Sequence, residues 1–251
     1  MRNTISSEWL KLRTVTLNVV LLGIGAGFVV VITLLVATLN GDPGDFSGSE
    51  LAGIVGGTSV VTGFVVSVIA ALSITSEFAH GTIRPTLAAT PDRTRVFLAK
   101  AVVLSALGFV TGIVVAWGSY LIGLVVLNLR GADVGVSGGD GSLAVLLGVP
   151  FFFTILAMFG YGLGLLLRNT PAAVAVAILW PLLVETIIRG VLALAGVDEP
   201  DYFLPYQSGF ALVSPDDAFQ GYGRVGGGIF FAVVVAALVA VAVAINTRRD
   251  V

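Results

Sequence analysis

Six long apolar runs, separated by polar or glycine-containing stretches, organise this chain. They cover 15–39, 51–76, 101–129, 143–167, 171–195 and 225–247. Each is at least as long as the roughly 20 residues a helix needs to cross the hydrocarbon core of a bilayer. A helix satisfies its own backbone in lipid, so the many Val and Ile residues do not argue for strands. The pattern therefore predicts an all-α, polytopic membrane protein with six spans, built as one domain over 1–251. Only the fifth run carries charges within it, Glu185 and Arg189.

Composition narrows the class further. Of the 251 residues 57% are hydrophobic and 11% charged, and mean hydropathy is +1.03. Soluble domains carry about 25% charged residues, so this chain could not solvate its apolar surface as a soluble enzyme or a nucleic-acid binder. A porin-like barrel is excluded as well, because its strands alternate apolar with polar positions and never build uninterrupted apolar runs of this length. With no cysteine, thiolate metal sites and disulfides are ruled out.

The distribution of charge carries more than its sum. Ten Lys and Arg residues fall on the side shared by the N-terminus, the second and fourth loops and the C-terminus, against Arg130 and Arg224 on the other. Ten acidic residues, from Asp42 to Asp217, lie on that other side. The positive-inside rule then places both termini in the cytoplasm. The first run, about 25 residues, exceeds the 7–15 of a signal-peptide core and is expected to stay as a span.

Three stretches outside the runs have structure of their own. Residues 4–14 are amphipathic, with Ile5, Trp9 and Leu12 on one helical face. They suit a helix lying on the membrane surface, either as a plain anchor or as an elbow that docks a partner. In the second loop, 77–100, Gly81 can end a helix, 82–89 can form a short one, and Thr90-Pro91-Asp92 reads as a restart. That order builds a protruding knob; the alternative is a basic loop that only sets orientation. The fifth loop, 196–224, holds apolar clusters and prolines at 200, 205 and 215, which fits short helices dipping back toward the membrane or an ordinary capping loop.

No chemistry of catalysis is legible. A Walker loop is absent, as are intramembrane serine–histidine, paired-aspartate or HExxH arrangements, and His80 has no companion for a metal site. The five GxxxG pairs at Gly23/Gly27, Gly53/Gly57, Gly108/Gly112, Gly160/Gly164 and Gly223/Gly227 do not define a dimer face, because glycine this frequent yields such pairs by chance. Glu185 and Arg189 stand at i and i+4 and can neutralise each other, with Arg189 reaching toward the outer interface; otherwise Glu185 faces a polar path or a subunit interface.

These residues carry a resemblance. The opening Ile5-Ser6-Ser7-Glu8-Trp9-Leu10-Lys11-Leu12-Arg13 is similar to that of actinobacterial permeases of type-2 ABC exporters. Ser76-Glu77-Phe78-Ala79-His80-Gly81-Thr82-Ile83-Arg84, with Leu87, Pro91, Arg93, Arg95 and Lys100, resembles their first cytoplasmic loop. Trp180-Pro181 with Glu185 resembles their fifth helix, and Leu204-Pro205 their last external loop; Pro85 departs from the small polar residue expected there. The resemblance implies a permease in a bacterial cell membrane that exports a lipophilic or amphipathic compound. It implies a second permease copy, the same or different, and two copies of a separate ATPase holding ATP and Mg²⁺, with no cofactor or nucleic acid on this chain. It assigns ATPase coupling to Trp9, Glu77, Gly81, Thr82, Arg84, Arg93 and Arg95, and leaves Glu185 and Arg189 as candidates for the translocation path. A non-transporting immunity or sensor subunit that holds an ATPase is the other reading.

Overall fold

The computed structural model describes residues 2–42, 44, 46–83, 93–215 and 222–248. Among these residues all regular structure is helical, and six helices are long and apolar enough to cross a membrane. A surface helix α1 (Arg2–Thr14) breaks at Val15, whose backbone is extended, and turns into α2 (Thr16–Leu39). Then come α3 (Gly48–Ala79), α4 (Arg93–Leu129) and α5 (Ser142–Leu167). The fifth span is composite: α6 (Thr170–Leu179), a π-helical turn (Trp180–Val184) and α7 (Glu185–Leu194). A short helix α8 (Pro205–Phe210) sits between 3₁₀ turns at Pro200–Phe203 and Ala211–Val213, and α9 (Gly223–Arg248) ends the described chain.

The helices run past the uncharged stretches that mark them. α3 starts at a capping box in which the Ser47 hydroxyl and the Glu50 carboxylate each bond the other's backbone N–H, and it continues through Glu77. With 37 residues, α4 is about 55 Å long at 1.5 Å per residue and begins eight residues before the apolar run. Charge limits what lipid covers but does not end a helix. At its C-terminal end α3 stops at His80, and Gly81 (φ +68°) takes the left-handed position that glycine adopts without strain.

The core lies between α3 and α5, with α4 against both; α2, α6–α7 and α9 surround them and expose apolar faces. Two of the five GxxxG pairs turn out to be packing seats. Gly108 and Gly112 meet the α5 backbone at Phe153 and Pro150, while Gly160 and Gly164 meet the α3 backbone at Ser67 and Ala71. A Cβ at Gly160 would lie 2.0 Å from the Ser67 carbonyl oxygen, so these helices close to backbone contact. Gly23 and Gly27 touch nothing within 4 Å, and their intervening Gly25 is the one packed, against Thr62. At the end away from the N-terminus, the Arg130 guanidinium donates to the carbonyls of Ala37 and Asn40 at 2.7 and 2.9 Å, closing the last turn of α2.

Candidate functional site

At the end of the bundle that carries the N-terminus, four charged side chains from three helices meet. Glu8 on α1 is buried, although it lies in a short and otherwise solvent-facing helix. Its carboxylate accepts from Lys100 Nζ on α4 and, at 2.7 Å, from Lys11 Nζ one turn along. Glu77, in the last turn of α3, accepts through one oxygen from both lysines, at 2.9 Å from Lys11 and 3.1 Å from Lys100. Lys100 also donates to the Ser73 carbonyl at 3.4 Å. Two carboxylates and two ammoniums balance, which is what lets Glu8 and Lys100 stay almost wholly out of water. Burial pushes the Glu8 carboxyl up, but the Lys100 and Lys11 ammoniums outweigh it and hold it below its ordinary value of 4.5. Burial likewise pulls Lys11 down, and Glu8 and Glu77 outweigh that, so it sits above 10.5.

The inward face of α1 is thus Ile5, Glu8 and Leu12. The expected apolar face of Ile5, Trp9 and Leu12 is corrected at its centre, since Trp9 turns outward and is 47% exposed. Corner geometry follows from Asn18, whose amide donates to the freed Leu12 carbonyl at 3.2 Å. Of the other residues assigned to coupling, Glu77 is buried beneath the surface rather than presented on it. Gly81 and Thr82 are exposed, the Thr82 hydroxyl lying 3.4 Å from the Glu77 carbonyl, and Arg95 is exposed on the first turn of α4. Ile83 is buried and anchors the start of the loop in the core. Arg93 opens α4. Arg84, most of the expected short helix over 82–89, and the Thr90-Pro91-Asp92 restart lie outside the described residues.

A second junction at the same end joins α3, α5 and α9. Arg168, held at φ +50° after α5, places its guanidinium 5.1 Å over the Phe78 ring and donates twice to the Asn246 amide oxygen, at 3.0 and 2.8 Å. The Asn246 amide nitrogen in turn donates to the carbonyls of Leu165 and Ala242.

At the opposite end the fifth loop folds back into the bundle. Carbonyl oxygens of Ser208, Leu212 and Val213 rest where a Cβ would be on Gly227, Gly148 and Gly56, each within 2.1 Å of that position. The Tyr206 ring stacks on Phe64 at 5.8 Å, about 24 Å beyond the start of α3. Leu204 and most of the 209–213 cluster are therefore buried by protein, as expected for helices dipping back, with the backbone shielded among three glycines, whereas Phe203 stays 66% exposed.

Glu185 is what holds this segment. Pro205 supplies the first residue of α8, leaving the Tyr206 and Gln207 amides without intrahelical partners. Both donate to the Glu185 carboxylate, at 3.0 and 3.1 Å, and Trp180 Nε1 adds a third bond at 3.2 Å. Arg189 instead pairs with Asp201 at 2.9 Å. The self-neutralised Glu185–Arg189 pair is thus not formed: each charge finds its partner in the re-entrant segment. No metal-binding cluster of His, Cys, Asp or Glu occurs among the described residues.

Fold and site together define a multi-pass helical membrane protein whose first helix is bolted by charge to the base of the α3–α4 hairpin. Residues 4–183 match the family described as ABC-2 family transporter protein, over two thirds of the chain. The chain belongs to that family and is a membrane permease component of an ABC transporter, a role that associates it with an ABC ATPase subunit. The match contains the whole charge cluster and stops just before Glu185. No curated protein sequence matches the chain.

Proposed function

We propose that the chain is the permease subunit of an ATP-driven exporter of a lipophilic or amphipathic compound, working in a bacterial cell membrane with both termini in the cytoplasm. It pairs with a second permease copy, and two ATPase copies bind ATP and Mg²⁺. The observation that supports this reading is the Glu8–Lys11–Glu77–Lys100 cluster. It fastens α1 to the ends of α3 and α4, so force applied to the exposed side of α1 or to the loop after Gly81 reaches both spans as one body. Because α3 packs along α5, a tilt of that body shifts the centre of the bundle.

In this reading the ATPase contacts are Trp9, Gly81, Thr82 and Arg84, with Arg93 and Arg95 beside them, while Glu77 works from beneath as a strut. Glu185 and Arg189 position the re-entrant segment at the outer end of the path. The test is purification of the tagged chain in mild detergent, after cross-linking in cells, with co-purifying proteins identified by mass spectrometry. A near-stoichiometric ATPase is expected, and its absence would remove the energy source this function needs. Substrate-dependent efflux then separates export from an ATPase-holding sensor or immunity role.

A further inference from the structure

A cavity of about 130 Å³ opens where α1, the start of α2 and α4 meet. Trp9, Arg13 and Asn18 give it polar groups, and Val19, Leu22 and Leu107 give it apolar walls. Leu22 stands seven residues along α2 from the break at Val15, and Leu107 seven along α4 from Lys100. Each therefore lies about 10 Å further into its span than the α1–α2 corner. The walls reach into the hydrocarbon, while Trp9 and Arg13 stay at its edge, the depth at which such side chains anchor membrane proteins.

The charges around this cavity do not balance. The cluster of Glu8, Lys11, Glu77 and Lys100 is neutral and leaves Arg13 out. Arg13 sits exposed in the last turn of α1, with no ion pair or hydrogen bond among the described residues. The Trp9 indole N–H, one turn back, has no acceptor among them either. Glu8 and Glu77 are the described acids at this end, and both are taken by the two lysines. No acidic side chain lines the cavity. It thus offers a guanidinium, whose planar fork pairs with phosphate oxygens, and an indole donor at the head of an apolar recess. A ligand at this level also gives a reason for Trp9 to turn away from the inward face of α1.

We infer that this cavity holds one anionic phospholipid of the surrounding bilayer. Its phosphate lies on Arg13 and the Trp9 N–H, and its chain runs against Val19, Leu22 and Leu107. A zwitterionic lipid fits less well, because no carboxylate is present to take its ammonium and the Arg13 charge stays uncancelled. A water-borne anion or a soluble protein would leave the apolar walls bare. The site does not rest on the exporter reading. Since it shares Trp9 with the ATPase contacts proposed above, binding is measured on the purified chain without an ATPase.

The test is native mass spectrometry of the chain in a neutral detergent, with equal amounts of phosphatidylglycerol and phosphatidylcholine. One phosphatidylglycerol per chain is expected, favoured about fivefold by the single arginine. Arg13→Gln, at an exposed position where folding is not at stake, should bring the ratio to about one. Leu107→Phe, which fills the recess without touching any charge, should abolish the one-to-one retention while the circular dichroism stays unchanged. Arg248→Gln, at another exposed arginine of the same end, should leave both intact. Equal retention of the two lipids, or a preference that survives Arg13→Gln or Leu107→Phe, overturns the site. An equal loss in Arg13→Gln and Arg248→Gln reveals only a basic surface and overturns it too. Displacement of phosphatidylglycerol by inorganic phosphate at matched concentration means a plain anion site and overturns the lipid as its occupant.

Discussion

Replacing Lys100 by methionine is the sharpest probe of how α1 is held. The lysine's side chain is 4% exposed and touches both carboxylates. Lys100→Met keeps its length and packing but leaves Glu8 and Glu77 facing the single half-exposed Lys11. Breaking a buried ion pair by removing one partner costs 3–5 kcal/mol, and because Lys11 stays in place and reaches water the lower end applies, about 3 kcal/mol. Glu8 and Lys11 are the charged residues that tie α1 down, so the loss falls on its docking: opening of α1 rises about 150-fold. Amide hydrogen exchange in detergent micelles reads this directly, with α5 as internal reference. Glu8→Leu combined with Lys100→Leu removes the buried pair as a whole and leaves Lys11 with Glu77. That double variant should regain protection to within about 1 kcal/mol of the parent. An increase below about fivefold in Lys100→Met, or a double variant no better than the single, would refute the idea that this pair anchors α1.

Three further outcomes follow from the same geometry. Because Glu8 titrates below 4.5 when folded, its contribution to docking is complete above that pH and lost as pH falls through its lowered value; Lys11, raised above 10.5, contributes below that pH and is lost as pH rises past its folded value. Exchange protection of α1 should therefore be flat between about pH 5 and 10 and fall on either side. Glu185→Ala strips the Tyr206 and Gln207 amides of their acceptor and should loosen α8 by about 2–3 kcal/mol, while Glu185→Gln, keeping one carbonyl oxygen, costs about 1 kcal/mol. Since the chain has no cysteine, a single Gln207→Cys reports this as thiol labelling rate from the side opposite the N-terminus, and equal rates in all three would count against the cap. Gly160→Ala, whose new Cβ would meet the Ser67 carbonyl at 2.0 Å, should cost at least 1–3 kcal/mol in an SDS titration followed by circular dichroism. Gly57→Ala, with nothing within 4 Å, serves as the neutral control.

The six spans are legible in the sequence because bilayer thickness imposes a length on every apolar run, and nothing tertiary is needed to see them. The site is legible only in outline. Glu8 reads as one more charge among Lys11 and Arg13 in a polar helix, yet it stands between Ile5 and Leu12 on the stripe that faces inward, and that misplaced charge is the available signal. Its buried partner Lys100 lies 92 positions away, beyond any local pattern, and only Lys11 is close in sequence. Glu185 fails differently. An i, i+4 pair on an exposed helix is worth only a few tenths of a kcal/mol, so two backbone amides of α8 outbid Arg189 for the carboxylate. The π-helical turn just before it, at Trp180-Pro181, marks the break in the regular ladder that proline imposes.

The cap on α8 also bears on how the chain is made. Glu185 is synthesised 21 residues before the amides that receive it. When its span first enters the membrane the carboxylate has no partner, and a charged residue at mid-helix opposes insertion by about 2.5–3.5 kcal/mol. The fifth helix therefore carries a cost on insertion that is offset only when the segment that follows turns back onto it. The carboxylate gains its partners only once residues through Gln207 have been made, whereas the glycine seats at Gly56 on α3 and Gly148 on α5 precede them in the chain.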